Sequence, residues 1–246
     1  MTCGANTAGG GRRRPSIVPV VHQTPDLDRF DPVRDPRPVD EPWPRLTWPV
    51  PAETELTGEV VRLNPVDPAA DAADLFRALD DDAVWAYVPG RPCDPRGFEE
   101  ILRSRHVQPE WNTWIVRTRC AIAGLPAGAV VGTTSFLDAS AHDARLEIGY
   151  TLYTPAVWSS AVNPETKLLL LGYAFDTLRA GRVQLKTDAR NHRSQQAIAR
   201  LGAQYEGTLR RHFRRPDGTV RDTVMFSVIA EDWPDVRQRL TSRLQN

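Results

Sequence analysis

The chain has 246 residues, 41% hydrophobic and 25% charged, and its 31 basic and 31 acidic side chains cancel to a formal net charge of zero. That balance belongs to a globular domain with a core, and it provides no overall positive field to recruit nucleic acid or an anionic membrane. No apolar run approaches the ~20 residues of a membrane span, and Cys3, Cys93 and Cys120 fit neither a disulfide framework nor a metal-ligand spacing. The expected setting is the cytoplasm.

Residues 1–52 differ in kind from the rest of the chain. They hold ten of the 21 prolines and show no sustained hydrophobic period, so they are expected to form a disordered Pro/Arg-rich arm with too little apolar surface to offset its ordering entropy. From residue 53 the texture is globular. Val60 to Leu63 reads as a strand and Ala70 to Leu79 as an amphipathic helix. Asp94-Pro95, an N-cap residue followed by a first-turn proline, opens a helix running to His106. Trp114 to Ile122 and Ala129 to Phe136 flank a Gly-Leu-Pro-Ala-Gly turn and read as a hairpin. Leu146 to Tyr153 is a further strand. Pro164 to Leu178 is an apolar helix with Leu168, Leu171, Phe175 and Leu178 on its buried stripe. Val183 to Lys186 is a strand, and Gln204 to Phe213 and Thr223 to Ile229 are strands joined by the turn Arg215-Pro216-Asp217-Gly218. Residues 237–246 are left as a C-terminal tail. This order predicts a single α/β (α+β) domain over residues 53–236, a mixed sheet covered by helices.

The most telling segment is Asn191 to Arg210. After the strand ending near Thr187, the apolar residues switch to helical spacing at Ala197, Ile198 and Leu201, and Gly202 follows where helices commonly stop. Asn191 and Ser194 fall three apart, so both polar side chains share one face of the first turn. Asn191, Ser194, Leu201, Gly202, Glu206, Gly207 and Arg210 together resemble the fourth-helix motif of the GNAT acyltransferases, in the branch that includes the ribosomal-protein N-terminal alanine acetyltransferases. The resemblance spans roughly Leu56 to Trp233. It implies the GNAT fold, with about seven strands flanked by about four helices, and acetyl-CoA as co-substrate.

A strand that runs into a helix N-terminus offers unpaired amides and the positive end of a dipole, which suits a pyrophosphate. By the resemblance, the pyrophosphate loop falls on Trp158, Ser159, Ser160, Ala161, Val162 and Asn163. Trp158 stands where the family has Gln or Arg, Ala161 where it has glycine, and Asn163 where it has a small residue. Asn163 is also expected to cap the helix ahead of Pro164. Backbone groups from Tyr150 through Leu152 and Tyr153 are implied to pair with the pantetheine arm, with Asn191 and Ser194 lining its channel.

For proton transfer the candidates are Glu147, a carboxylate able to accept from an attacking ammonium, and Tyr150, since the family's helix tyrosine is replaced here by Ile198. An ion pair of Glu147 with Arg145 is the competing role. Asp80, Asp81 and Asp82 with Trp85 and Tyr87 could form either an acceptor pocket or a solvated helix end. His142 and Asp143 lie in a polar loop, His192 and His212 are expected at the surface, and no histidines show metal-ligand spacing. The implied activity is acetyl transfer from acetyl-CoA to a primary amine, either a protein N-terminus or a small molecule, by direct attack and without a metal. The implied partners are acetyl-CoA and the amine, not nucleic acid or membrane, for a monomer or homodimer. The alternative is a non-catalytic module of the same fold that binds acyl-CoA or a protein as a regulator.

Overall fold

The computed structural model describes residues 32–37, 43–215 and 217–245. The chain divides into two units, residues 1–41 and 42–246. In the first, Asp35 accepts hydrogen bonds from the backbone and guanidinium of Arg37; most of the expected arm lies outside the described residues.

The second unit carries one eight-stranded mixed sheet in the order β1-β2-β3-β4-β5-β6-β8-β7. Its strands are β1 (Leu56–Thr57), β2 (Val61–Pro65), β3 (Asn112–Thr118), β4 (Val130–Ser140), β5 (Arg145–Tyr153), β6 (Arg182–Asp188), β7 (Gln204–Arg214) and β8 (Val220–Ile229). All neighbours are antiparallel except β5 and β6, which are parallel. The α/β (α+β) architecture is therefore as expected, with one strand more than anticipated.

Helices α1 (Pro68–Leu79), α2 (Asp82–Trp85) and α3 (Pro95–His106) close over one apolar cluster built on Leu75, Leu79, Trp85, Phe98 and Leu102, with Ile115 and Leu152 from the sheet. Asp67 and Asp94 cap α1 and α3 by accepting backbone N–H bonds. Helix α4 (Val162–Gly172), continued by a π-helical turn over Tyr173–Thr177, helix α5 (His192–Ala199) and helix α6 (Trp233–Gln245) belong to a second, larger cluster. It centres on Trp114, Phe136, Leu170, Leu171, Val183 and Val228.

Two boundaries need correction. Leu46 and Val50 are buried in the larger cluster, the Leu46 and Thr47 amides bond Ala141 and Leu178, and the Trp48 indole donates to the Pro109 carbonyl at 2.7 Å. The packed domain thus begins near residue 43 rather than 53, because three apolar side chains in a proline-rich stretch are enough to dock it without any periodic pattern. At the other end, residues 237–246 are not a tail. Residues 237–245 continue α6, whose Val236 and Leu240 are buried and whose Trp233 stacks on Phe175 at 5.6 Å.

Two charged side chains fix the frame around the sheet. Glu165 in the first turn of α4 is buried and accepts from the amides of Glu59, Val60 and Val61 at 2.8, 2.7 and 2.7 Å. Gly58 permits this approach, since a Cβ there would lie 2.4 Å from the Glu165 carboxyl carbon. Asp188, at the end of β6, holds Arg215 through paired bonds of 2.6 and 2.7 Å and ties the β7–β8 hairpin to β6. Glu206 of the Glu-Gly-Arg motif is a frame residue too: it takes both Arg182 nitrogens at 2.5 Å and the Ser227 hydroxyl at 2.7 Å.

Candidate active site

Strands β5 and β6 pair only at Arg145↔Arg182, Leu146↔Val183 and Glu147↔Gln184. Both continue past that point without pairing to each other, so a wedge opens between them. The local cause lies in β5. Tyr150 takes a left-handed conformation with φ 46°, uncommon for a bulky residue, where the β4–β5 register slips between Thr133 and Ser135. Beyond the slip, Tyr153 faces Gly132, and the Thr154 amide bonds Val131 O. That makes Tyr153 and Gly132 a non-hydrogen-bonded pair, and the Tyr153 N–H and C=O turn away from β4 into the wedge. Leu152 alternates the other way: its side chain enters the cluster under α1 and α3, and its backbone belongs to β4. Of these two expected pantetheine contacts, the geometry leaves Tyr153.

The outer end of the wedge is formed by the loop before α4. The Trp158 indole donates to the Tyr153 carbonyl at 3.0 Å, folding the loop back on the strand. Ser159 is left-handed, with φ 63°. The Ser160 hydroxyl donates to Val157 O at 2.7 Å and accepts from the Val162 amide at 3.2 Å. Among the described residues, the Ser159 and Ala161 amides have no protein acceptor. Asn163 is not the cap expected of it. The helix starts at Val162, Ala161 occupies the N-cap position without a side-chain bond, and Asn163 sits inside the first turn. Pro164 therefore falls where an amide has no intrahelical partner anyway.

Across the wedge, Asn191 caps α5 by accepting from the Ser194 amide at 3.0 Å. The neighbouring Arg193 lays its guanidinium 3.3 Å from the centre of the Trp158 ring. The cation–π stack bridges the two walls.

The inner end is rich in charge. Glu147 is buried, and its Oε2 takes both Lys186 Nζ at 2.7 Å and Gln184 Nε2 at 2.9 Å. Arg145 pairs with Asp138 instead of Glu147. Oε1 of Glu147 has no bonded partner among the described residues. The Tyr150 ring lies 5.2 Å from that of Trp111, with the Arg105 guanidinium 3.9 Å from its centre. From the hairpin come His212, Phe213 and Arg221. Lys186 and Arg221 flank the Phe213 ring at 5.8 and 5.3 Å. His212 is half-buried, not a surface residue, and its Nδ1 is buried without a partner. Burial, then the charges of Lys186 and Arg221, lower its pKa below the usual imidazole value. Arg105, Lys186, His212 and Arg221 were missed as a group because they come from four elements that no local spacing connects.

Behind β5, Lys167 of α4 is fully enclosed and donates to the Thr151 hydroxyl at 2.6 Å, which also bonds Thr134 at 2.8 Å. Burial pulls its pKa down to about 7. The aspartates near α2 are structural: Arg91 pairs with Asp80 and Asp82, and Asp81 caps the helix. His142 and Asp143 pair with each other at the surface.

Residues 61–204 match the family described as the acetyltransferase (GNAT) domain. The chain belongs to the GNAT acetyltransferases. It is 30% identical over 166 residues to the N-acetyltransferase p20 of Bacillus licheniformis, covering 66% of this chain and 89% of p20. A GNAT-family structure from Chromobacterium violaceum superposes with a TM-score of 0.75 at 28% identity, over 83% of this chain and all of that one. Mycobacterium smegmatis RimJ, solved in complex with CoA-disulfide, shares the fold with a TM-score of 0.63 at 20% identity, over 77% and 93% of the two chains. In this GNAT domain, the parallel pair that parts is β5 and β6, and no helix among the described residues is long and apolar enough to cross a membrane.

Proposed function

We propose that this GNAT protein moves an acetyl group from acetyl-CoA to a primary amine by direct attack of the amine nitrogen. The observation that carries this reading is the wedge itself: β5 leaves β6 after Glu147, and the Tyr153 backbone turns its hydrogen-bonding edge into the gap. The fit to acetyl-CoA rests on three features in sequence along one wall. Tyr153 offers a strand edge for the pantetheine amides, with Asn191 and Ser194 opposite. The free Ser159 and Ala161 amides, with Ser160, Val162 and Asn163 around them, face a phosphate at the positive end of α4. Trp158 and Arg193 close over the mouth. RimJ, similar in fold, was solved in complex with CoA-disulfide, which is in keeping with a CoA ligand for this fold.

The thioester supplies an activated acyl carbon. The chain's own residues hold the amine and move protons. Oε1 of Glu147, left open while Oε2 is held by Lys186 and Gln184, accepts the ammonium proton directly or through water. Tyr150, at the point of splay, is assigned to return a proton to the departing sulfur as the C–N bond forms and the C–S bond breaks. A backbone N–H near Tyr150 steadies the carbonyl oxygen.

Calorimetry with acetyl-CoA and thiol release across an amine panel test the reading. Heat and amine-dependent thiol release are expected, with Y150F lowering kcat by about 10²-fold or more, as loss of a general acid does. No heat would overturn it. Heat without thiol release would favour a regulatory acyl-CoA-binding module, which the Trp158–Arg193 closure and Ile198 also suit.

A further inference from the structure

The residue hardest to account for as scaffold is Arg105. It lies in the last turn of α3 with only 7% of its surface exposed. Its guanidinium rests on the Tyr150 ring at 3.9 Å and near Trp111 at 5.3 Å. Those aromatic faces attract the charge but do not supply an acceptor for every N–H. Nη1 is buried with no hydrogen-bond partner, and no carboxylate stands within ion-pair distance among the described residues. A buried charge without a counter-ion is costly. Burial lowers the Arg105 pKa, and the Tyr150 phenol offsets only part of that.

Arg221 of β8 lies 5.3 Å from the centre of the Phe213 ring. It also has no salt bridge among the described residues, and its Nε donates only to the Thr223 hydroxyl at 3.1 Å. Tyr150, Asp188 and Glu147 are within electrostatic reach of it. Both of those carboxylates are already engaged, Glu147 by Lys186 and Asp188 by Arg215. Two guanidinium groups, Arg105 on the Tyr150 ring and Arg221 at 5.3 Å from the Phe213 ring, therefore have no salt bridge among the described residues. A pocket built only to attract an ammonium would carry the opposite sign.

We infer that the acceptor carries a carboxylate close to its amine, and that Arg105, assisted by Arg221, binds that carboxylate against the Tyr150 ring. The inference rests on the transferase reading above and adds the chemical class of the acceptor. The carboxylate can belong to a small amino acid or to an acidic residue beside a peptide N-terminus; the two share the chemistry and separate in the assay.

The test uses the full chain, acetyl-CoA and matched acceptors: 4-aminobutyrate against its amide, and Ala-Asp-amide against Ala-Asn-amide. A charge-assisted bond of about 1.5 kcal/mol or more corresponds to at least a tenfold preference in kcat/KM for the carboxylate member. That preference is expected in one pair or both, and the pair showing it identifies the source. In R105M it collapses toward one, chiefly through KM, and R105K restores part of it. Equal use of both members by the wild type overturns the inference, as does an R105M variant that slows both members equally. A second measurement needs no turnover: glutarate in the presence of CoA raises the wild-type melting temperature and leaves that of R105M unmoved. No shift in the wild type also overturns it. If acetyl-CoA itself gives no heat, the transferase reading fails first, and the glutarate shift without CoA then decides whether the anion site stands alone.

Discussion

Glu165 and Asp188 on the frame, Arg105 beside the wedge and Lys167 behind β5 all bury charge, but they are held in opposite ways. Glu165 accepts from three amides, and Asp188 takes a two-bond grip on Arg215. Arg105 leaves Nη1 unmet, and Lys167 has a single hydroxyl. In the frame, matched groups lock β2 to α4 and β6 to the hairpin. At Arg105 and Lys167, the poorly matched charges cost stability that the frame does not give up.

The contrast predicts substitutions of opposite sign. The largest effect is expected from E165A, which strands three backbone N–H groups and should cost about 4 kcal/mol in urea unfolding. A loss below about 1 kcal/mol would show that water satisfies those amides. Next is R215M, which leaves Asp188 buried and unpaired, at about 3 kcal/mol. Burial alone would raise the Asp188 pKa, but the Arg215 bonds and the Arg190 amide outweigh it and hold it below the usual carboxylate range. Its contribution is therefore present above that range and fades as pH falls through the lowered value. R215M should flatten that acid-side loss.

Lys167 works the other way. Its folded pKa of about 7 lies below the unfolded one, so the unfolded chain binds the extra proton between those values. Wild-type stability should rise relative to K167M by roughly 1.4 kcal/mol per pH unit from about pH 7 upward, and level off below it. At pH 7, K167M should match or exceed the wild type; a large loss would mean that the Thr151–Thr134 network is a stabilising element after all. The smallest effect on stability is expected from R105M, within about 1 kcal/mol of the wild type or above it, because the methionine keeps the stacking volume while removing an unpaired charge.

Much of the frame was legible along the chain. Asp94 caps the helix it was expected to cap, and the Gly-Leu-Pro-Ala-Gly turn joins β3 and β4. Asn163 was not the cap, because the helix gained a residue before it and Ser160 took over the Val162 amide. Residues 43–52 and α6 were misread for one reason: their few apolar side chains dock on distant surfaces without a local period. The carboxylate of Glu165 passed unnoticed because nothing near it in sequence shows that three amides lie about a hundred residues away.

Periodic patterning, caps and turn residues act between neighbours along the chain, so the sequence by itself determined most of the elements before α6, their order and the Asn191–Ser194 turn that resembles a GNAT cofactor helix. Whether a buried charge meets a partner depends on which strands lie side by side. Tyr150 is brought under Arg105 from 45 positions away in the chain, and β5 stops pairing with β6 after Glu147, just before the left-handed Tyr150. Only the tertiary structure decided those meetings, because electrostatic matching and desolvation are set by distance in space.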